Sequence, residues 1–260
     1  DLAGTHPLPP VTTSATGAFT ITDTPIVGGP VTWTVTLPQG QNQQAASRMV
    51  TVGVSRTATA LTVTTNGGPY AYGKSATVTA KLGATYNSRT ICIQAQRQGA
   101  AKVTLKCGAA DAAGKLTVAY PMQRRTVFTA TFTGDHRYAP ATASRTAAAY
   151  AKVTSALSKG HSTSGAYKVY RKATKPVLTT TVAPTNAGSC VYLTVQKKVG
   201  KTWRKETVTG CRKLSAAGKV SYQYAGARTV GVSYRVLARF GGNGSNLATY
   251  GSWQYFKFRK

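Results

Sequence analysis

Acidic residues are scarce in this chain of 260 residues. There are five of them, Asp1, Asp23, Asp111, Asp135 and Glu206, against 33 lysines and arginines, and the formal net charge is +28. Paired-carboxylate catalysis needs two acids that converge on a substrate, so five scattered acids argue against it. They also argue against a calcium site, because such a site needs several carboxylates within a short span.

Helix-forming glutamate and long apolar runs are also lacking. Glu206 is the single glutamate, whereas threonine, valine and tyrosine are abundant. Because those three residue types favour pleated sheets, the composition predicts an all-β protein. No apolar run reaches the roughly 18–20 residues that a membrane span needs. We therefore expect no membrane insertion.

Motifs for catalysis are missing as well. No G-x-S-x-G motif occurs, and the histidines are His6, His136 and His161. His136 follows Asp135 directly, but adjacent side chains of an extended chain point in opposite directions. We expect no enzymatic activity, no cofactor and no metal site.

What the chain does contain is a repeated pattern. A pair of small residues and a glycine, then alternating strands and a glycine-containing turn, occurs three times, at Gly17, Gly114 and Gly218. These glycines are 97 and 104 residues apart, which is the size of a seven-stranded sandwich domain. The pattern predicts a partial repeat over residues 1–54 and two β-sandwiches over residues 55–150 and 151–260. The joints are short, so we expect an elongated rod.

The first repeat lacks its front half. About 54 residues precede the first joint, where a complete repeat needs roughly 100. A half sandwich exposes unpaired sheet edges and an open core face. The chain is then a fragment of a longer one, or another chain supplies the strands, or residues 1–54 pack as a reduced sheet on a neighbour. We favour the first explanation.

Each complete repeat holds two cysteines at corresponding places, before and after a basic hairpin. The repeat symmetry therefore predicts the disulfides Cys92–Cys107 and Cys190–Cys211. The spacings and the few histidines do not match a zinc site. Disulfides persist in oxidising compartments, so we expect an extracellular protein.

Three segments resemble motifs of secreted bacterial Ig-like repeat proteins, particularly those of actinobacteria. Residues 72–79 resemble the second strand of those repeats, residues 132–140 their F-x-G-D-x-x-Y-A-P turn, and residues 193–203 their L-x-x-K-x-x-G-x-W hairpin. The resemblance implies an Ig-like β-sandwich fold and an extracellular, non-catalytic role. In such proteins the repeats often follow an upstream domain, sometimes a β-propeller, which would explain the partial first repeat. One departure is residues 241–244, which lack the aspartate of the turn.

The positive charge is concentrated in the last repeat. The net charge is −1 over residues 1–54, +10 over residues 55–150 and +19 over residues 151–260. A basic face with interleaved aromatic rings can bind an anionic polymer or an anionic cell surface. The candidate residues for that contact are Lys168, Arg171, Lys172, Lys197, Lys198, Lys201, Trp203, Arg204, Lys205, Arg212 and Lys213.

Other interpretations stay open. The cationic surface could confer solubility alone, and Trp203 could pack its own hairpin rather than a ligand. The protein could also be a subunit or inhibitor that contacts one specific protein partner. A third alternative is an accessory carbohydrate-binding module that serves an upstream domain, and a partner or upstream segment could complete the first repeat.

Overall fold

Within residues 4–83 and 88–260, which the computed structural model describes, every regular element is a β-strand, as predicted. Asp1 lies outside these ranges. The strands are β1 (Gly29–Leu37), β2 (Ala46–Val54), β3 (Leu61–Thr65), β4 (Ser75–Leu82), β5 (Thr90–Arg97), β6 (Lys102–Ala109), β7 (Lys115–Pro121), β8 (Thr126–Phe132), β9 (Ala141–Ala147), β10 (Lys152–Leu157), β11 (Ser162–Ser164), β12 (Tyr167–Arg171), β13 (Val177–Ala183), β14 (Cys190–Val199), β15 (Thr202–Val208), β16 (Arg212–Lys213), β17 (Lys219–Gln223), β18 (Ser233–Phe240), β19 (Thr249–Tyr250) and β20 (Gln254–Arg259).

Two sheets enclose the first core, and we call the residues that they span, 61–149, the central unit. One sheet has the order β3-β4-β7 and the other β6-β5-β8-β9. Alternate side chains of their strands point inward. Val78, Ile93 and Phe128 are fully buried in this core. The packing of two sheets through their apolar faces is that of a β-sandwich.

A second and separate core lies in residues 151–259, the C-terminal unit. A sheet of order β10-β13-β17 faces a larger one of order β11-β12-β20-β18-β14-β15, with β16 paired to β14 and β19 to β18. Aromatic rings dominate this core. Tyr234 stacks on Phe256 with ring centroids 5.3 Å apart, and Tyr170 and Phe240 are also buried.

Direct hydrogen bonds join the two units around Asn246, whose side chain is 2% exposed. Its amide nitrogen donates to the Gln123 carbonyl oxygen over 2.8 Å and to the Ala149 carbonyl oxygen over 3.4 Å. The next residue, Leu247, donates its backbone N–H to the Ala149 carbonyl. A buried amide with satisfied partners restricts relative movement, because breaking its bonds would leave polar groups unpaired.

Strands β1 and β2 form a two-stranded ribbon without a cover. Val31, Trp33 and Val35 lie opposite Val52, Val50 and Arg48, so one face of the ribbon is largely apolar. Val50 is 57% exposed and Val52 is 49% exposed. The described residues of the partial repeat contain no buried side chain.

The equivalent strands of the central unit show what the ribbon lacks. There β8 pairs with β9, as β1 pairs with β2, but β5 also pairs with the other edge of β8. The sheet β3-β4-β7 covers the apolar face, so Phe128 and Phe132 are buried. Among the described residues, no further strand pairs with β1 and no sheet packs on the ribbon, where Trp33 instead donates its indole N–H to Asp23 over 2.8 Å.

The repeated glycine of the sequence lies in the same turn in all three copies. Gly17, Gly114 and Gly218 have φ values of 77°, 76° and 70°, a conformation that glycine adopts without strain. Each glycine donates its N–H to the carbonyl oxygen three residues earlier, over 2.9, 2.8 and 2.9 Å. The sequence repeat is therefore a repeat of backbone structure.

A second turn is conserved between the units although its key residue changes. An Asp135 oxygen accepts the backbone N–H groups of Arg137 and Tyr138, each over 2.8 Å. Asn243 accepts those of Ser245 and Asn246, each over 2.9 Å. An asparagine oxygen caps this turn as an aspartate oxygen does, which explains why residues 241–244 can lack the acid.

Both predicted disulfides are present, Cys92–Cys107 and Cys190–Cys211, and no cysteine of the described residues is free. Cys92 in β5 lies directly opposite Cys107 in β6. Cys190 begins β14, and Cys211 immediately precedes β16, which pairs with β14. Each bridge therefore joins the strand before the basic hairpin to the segment after it.

Removal of the first bridge should destabilise the protein. The Cys92 and Cys107 positions are 15 residues apart, and release of a loop of this length costs about 3 kcal/mol of unfolding free energy. The double variant Cys92→Ser/Cys107→Ser should lose that amount in urea unfolding followed by circular dichroism. The oxidised wild type with both bridges intact is the reference, and an unchanged midpoint in the double variant would contradict the prediction.

Candidate polyanion-binding face

The C-terminal unit holds its positive charge without acidic partners. Residues 151–260 contain 20 lysines and arginines and one acid, Glu206. In the part of the chain that the structure describes, none of these 20 side chains forms an ion pair. The Glu206 carboxylate instead accepts a hydrogen bond of 2.7 Å from the hydroxyl of Tyr224. The cations of this unit are thus free to attract external anions.

The predicted residues of the β14–β15 hairpin divide between its two faces. Lys198 lies opposite Trp203 and Gln196 lies opposite Lys205, so these side chains share the outer face. Lys197 lies opposite Arg204 and also opposite the buried Tyr234, which places this pair on the core side. Alternation along the strands, which the run of basic residues conceals, separates the two sets.

The remaining predicted residues lie away from the hairpin. Lys168 and Arg171 are in β12, and Lys172 follows it, four strand spacings from β15, or about 19 Å. Arg212 and Lys213 pair with the start of β14, at the end opposite the hairpin turn. Lys201 lies in that turn. The structure therefore brings the predicted residues together as three groups rather than one.

The outer face of the large sheet carries a row of side chains, of which the sequence predicted only Lys205 as a binding residue. Strand pairing places Tyr167, Tyr255, Arg235, Gln196 and Lys205 side by side across five strands. Tyr167 meets Tyr255 edge-on, with ring centroids 5.6 Å apart. The sequence signal was the alternation of cations with buried residues in β18 and β20, which becomes informative only once the burial of those strands is known.

Arg235 is the centre of this row. Its guanidinium carbon lies 4.4 Å from the ring centroid of Trp203 and 4.1 Å from that of Trp253. Its Nε donates a hydrogen bond of 2.8 Å to Gln196 Oε1. Trp203 therefore contacts an arginine and is only partly exposed.

Aromatic rings accompany other cations in the same way. Arg239 lies 6.0 Å from the ring of Tyr192 and 5.7 Å from that of Tyr250. Lys257 lies 5.6 Å from the ring of Tyr167. Such cation–π contacts stabilise a positive charge without neutralising it. They hold the cations in place in a chain that has almost no carboxylates for the purpose.

Burial perturbs three tyrosines beneath this face. It raises the pKa of Tyr170 and Tyr222, and it raises the pKa of Tyr224 furthest, because the Glu206 carboxylate adds to the effect. The Tyr224 hydroxyl also donates to the Ala227 carbonyl over 2.8 Å. The Tyr170 hydroxyl donates to the Ser158 carbonyl over 2.6 Å, so the neutral hydroxyls of Tyr170 and Tyr224 are structural donors.

Asp135 is held by structural contacts rather than by His136. Burial raises its pKa, but hydrogen bonds from Arg89 and from the backbone of Arg137 and Tyr138 outweigh that effect, and the net pKa is lowered. The Arg89 guanidinium forms an ion pair with Asp135 and lies 4.7 Å from the ring of Tyr138. In the described ranges, no three metal-ligating side chains cluster.

No protein-family model matches the chain, and no curated protein matches it significantly. The described segments form no helix that could cross a membrane.

The perturbed tyrosines predict a loss of stability in alkali. Tyrosines of the unfolded chain ionise near pH 10, whereas the raised pKa values keep the folded ones neutral. Stability contributed by these groups is complete below about pH 10 and falls as the pH rises above it. Tyr224→Phe should lower the free energy of unfolding by about 1 kcal/mol at neutral pH. The variant should also lose less stability than the wild type as the pH rises above about 10.

Urea unfolding at about pH 8 and pH 11 measures this difference. The control is Tyr250→Phe, because the Tyr250 side chain is 63% exposed. If the free energy of unfolding of Tyr224→Phe falls between the two pH values as much as that of the wild type does, the raised pKa of Tyr224 is not the cause of the alkaline destabilisation.

Proposed function

We propose that this protein is a secreted, non-catalytic binding module of tandem Ig-like sandwiches arranged as a rod. Its C-terminal unit contacts an anionic polymer or an anionic cell surface. The observation that carries the proposal is the set of 20 cations in residues 151–260, none of which is ion-paired among the described residues. A polyanion supplies the charges that the chain itself lacks.

Multivalent attraction explains how such a surface would bind. Each lysine or arginine that meets an anion of the polymer releases a condensed counterion, and affinity falls steeply as salt rises. The unit's field also steers a charged polymer toward it. Exposed Lys198, Lys201, Arg204 and Lys205 on the hairpin are positioned for this contact.

The ordering of the cations favours binding over solubility as their role. A solubilising surface needs charge but no defined arrangement of side chains. Here Arg235, Arg239 and Lys257 are held by aromatic rings on one face of the sheet. Held side chains lose less conformational entropy when they bind a ligand.

Two further observations support an extracellular location and a rod-like arrangement. The two disulfides suit an oxidising, extracellular compartment. The buried Asn246 contacts restrict movement at the second joint, and a hydrogen bond from the Gly28 N–H to the His136 carbonyl oxygen restricts it at the first. Restricted joints are what a rod-like spacer requires.

The binding proposal predicts a salt-sensitive interaction that depends on the hairpin. Wild-type protein should bind an anionic matrix at about 50 mM salt and release it by about 200 mM. Reversal of Lys197, Lys198, Arg204 and Lys205 to glutamate should weaken retention about tenfold or more at low salt. Retention on immobilised dextran sulfate across a salt series measures both effects.

A matched control separates this site from the total charge. Reversal of the exposed Lys74, Lys81, Lys102 and Lys115 in the central unit changes the net charge by the same amount. This control should lose less affinity than the hairpin variant. Equal retention of the hairpin variant and the wild type would show that the hairpin is not the site.

The uncovered ribbon favours a second function, a protein–protein contact. Its apolar face and the free edge of β1 can accept strands from a partner. Residues 1–54 carry a net charge of only −1. A second copy of the chain is therefore the simplest partner, because two copies meet here with the least repulsion.

This contact predicts self-association that increases with concentration. Val50→Lys/Val52→Lys places charges on the apolar face and should leave the protein monomeric in sedimentation velocity at all concentrations, because burial of charge is costly. The control is Thr32→Lys/Thr51→Lys on the opposite face of the ribbon. A wild type that stays monomeric throughout would exclude the second copy as partner.

A further inference from the structure

We propose that Arg235, held between Trp203 and Trp253 on the outer face of the large sheet, binds the carboxylate groups of an acidic polysaccharide. The inference rests on the proposed function, because it assigns the ligand class and the central residue of that cationic face. None of the candidate residues chosen from the sequence is Arg235. The site is therefore a specific one within a broadly basic surface.

Three strands and one loop position fix the guanidinium. Trp203 comes from β15, Gln196 from β14, Arg235 itself from β18, and Trp253 immediately precedes β20. The two indoles lie 4.4 and 4.1 Å from the guanidinium carbon, and Gln196 accepts the Nε hydrogen over 2.8 Å. An arginine that contacts two indole rings and donates a hydrogen bond from Nε has lost most of its rotamer freedom before any ligand arrives.

The remaining donors of Arg235 face solvent. Its Nη atoms have no partner among the described residues, and that part of the chain has no buried side-chain nitrogen or oxygen without one. Both Nη groups must therefore be accessible. A planar guanidinium with free Nη groups forms two parallel hydrogen bonds with a carboxylate.

No side chain of the unit competes for that fork. Glu206 is the single acid of residues 151–260 and is occupied by Tyr224, whose ring lies in the core. The exposed Lys198 and Lys205 flank Trp203 on the outer face. An arriving carboxylate therefore meets positive charge on several sides and no repulsion from a neighbouring acid.

A second cation of the same kind lies further along β18. Arg239 is four residues beyond Arg235 on the same face, about 13 Å away along the strand, and lies near the rings of Tyr192 and Tyr250. Two ring-flanked arginines in line suit a ligand whose negative charges repeat. A polymer satisfies this arrangement, whereas a small anion uses only one of the two positions.

The aromatic rings around Arg235 are already occupied by protein contacts, which favours a polysaccharide ligand over a single-stranded nucleic acid. Nucleic-acid bases bind by stacking on free aromatic faces. Arg235 already covers the indole faces that line its slot, and Tyr167 meets Tyr255 edge-on. A uronic-acid polymer needs the fork of Arg235 and the nearby lysines, and no free ring face.

The test uses the full chain with Trp33→Phe, so that Trp203 and Trp253 are the only tryptophans and report on the site. Polygalacturonate should change their fluorescence, and titration calorimetry should give the affinity. Arg235→Lys keeps the charge but loses the fork, and it should bind about tenfold more weakly. Arg145→Lys, at an exposed arginine of the central unit that belongs to no proposed contact, is the matched control and should bind as the parent does.

The outcomes separate this inference from the proposed function. Salt-sensitive binding that is equal in Arg235→Lys and the parent would overturn the role of Arg235 and leave the cationic face intact. Tighter binding of polyuridylate than of polygalacturonate would overturn the polysaccharide. Failure of the parent to bind any polyanion would overturn both proposals. The fluorescence change needs no substitution at Arg235, so its absence on binding also counts against the site.

Discussion

Each sheet of this protein has one apolar face, and that face has to be covered. In the central and C-terminal units a second sheet provides the cover, and the side chains of Phe128 and Tyr234 are fully buried as a result. Water is thereby excluded from the two apolar cores, which is the main stabilising effect in such folds. The cations are left to the outer faces and the hairpins, where the candidate site lies.

The apolar face of the ribbon of β1 and β2, in contrast, is not covered by a second sheet in the part of the chain that the structure describes. Its residues follow the pattern of β8 and β9, yet Val50 stays 57% exposed, because no sheet packs on it among the described residues. Local pattern is thus sufficient to form a strand pair and insufficient to bury it. The proposed self-association is the consequence of that difference.

Scarcity of acids shapes the charged surface. Most proteins hold arginine with carboxylates, but here Arg235, Arg239 and Lys257 lie against aromatic rings. Rings orient a cation without cancelling its charge. The surface is therefore both ordered and strongly positive, a combination that separates a binding face from a merely soluble one. Asn243, in place of the aspartate at Asp135, shows that even a structural turn of the C-terminal unit dispenses with an acid.

Sequence alone determined the strands, the repeat and the disulfides, because each depends on local alternation or on matching positions in the repeats. Cys190 and Cys211 could be paired in this way before any geometry was known. Only the tertiary structure decided which cations act together. It separated Lys197 from Lys198 by alternation and brought Arg235 between Trp203 and Trp253, which are distant in sequence. Such a contact depends on which strands are neighbours in the sheet, and no local pattern specifies that order.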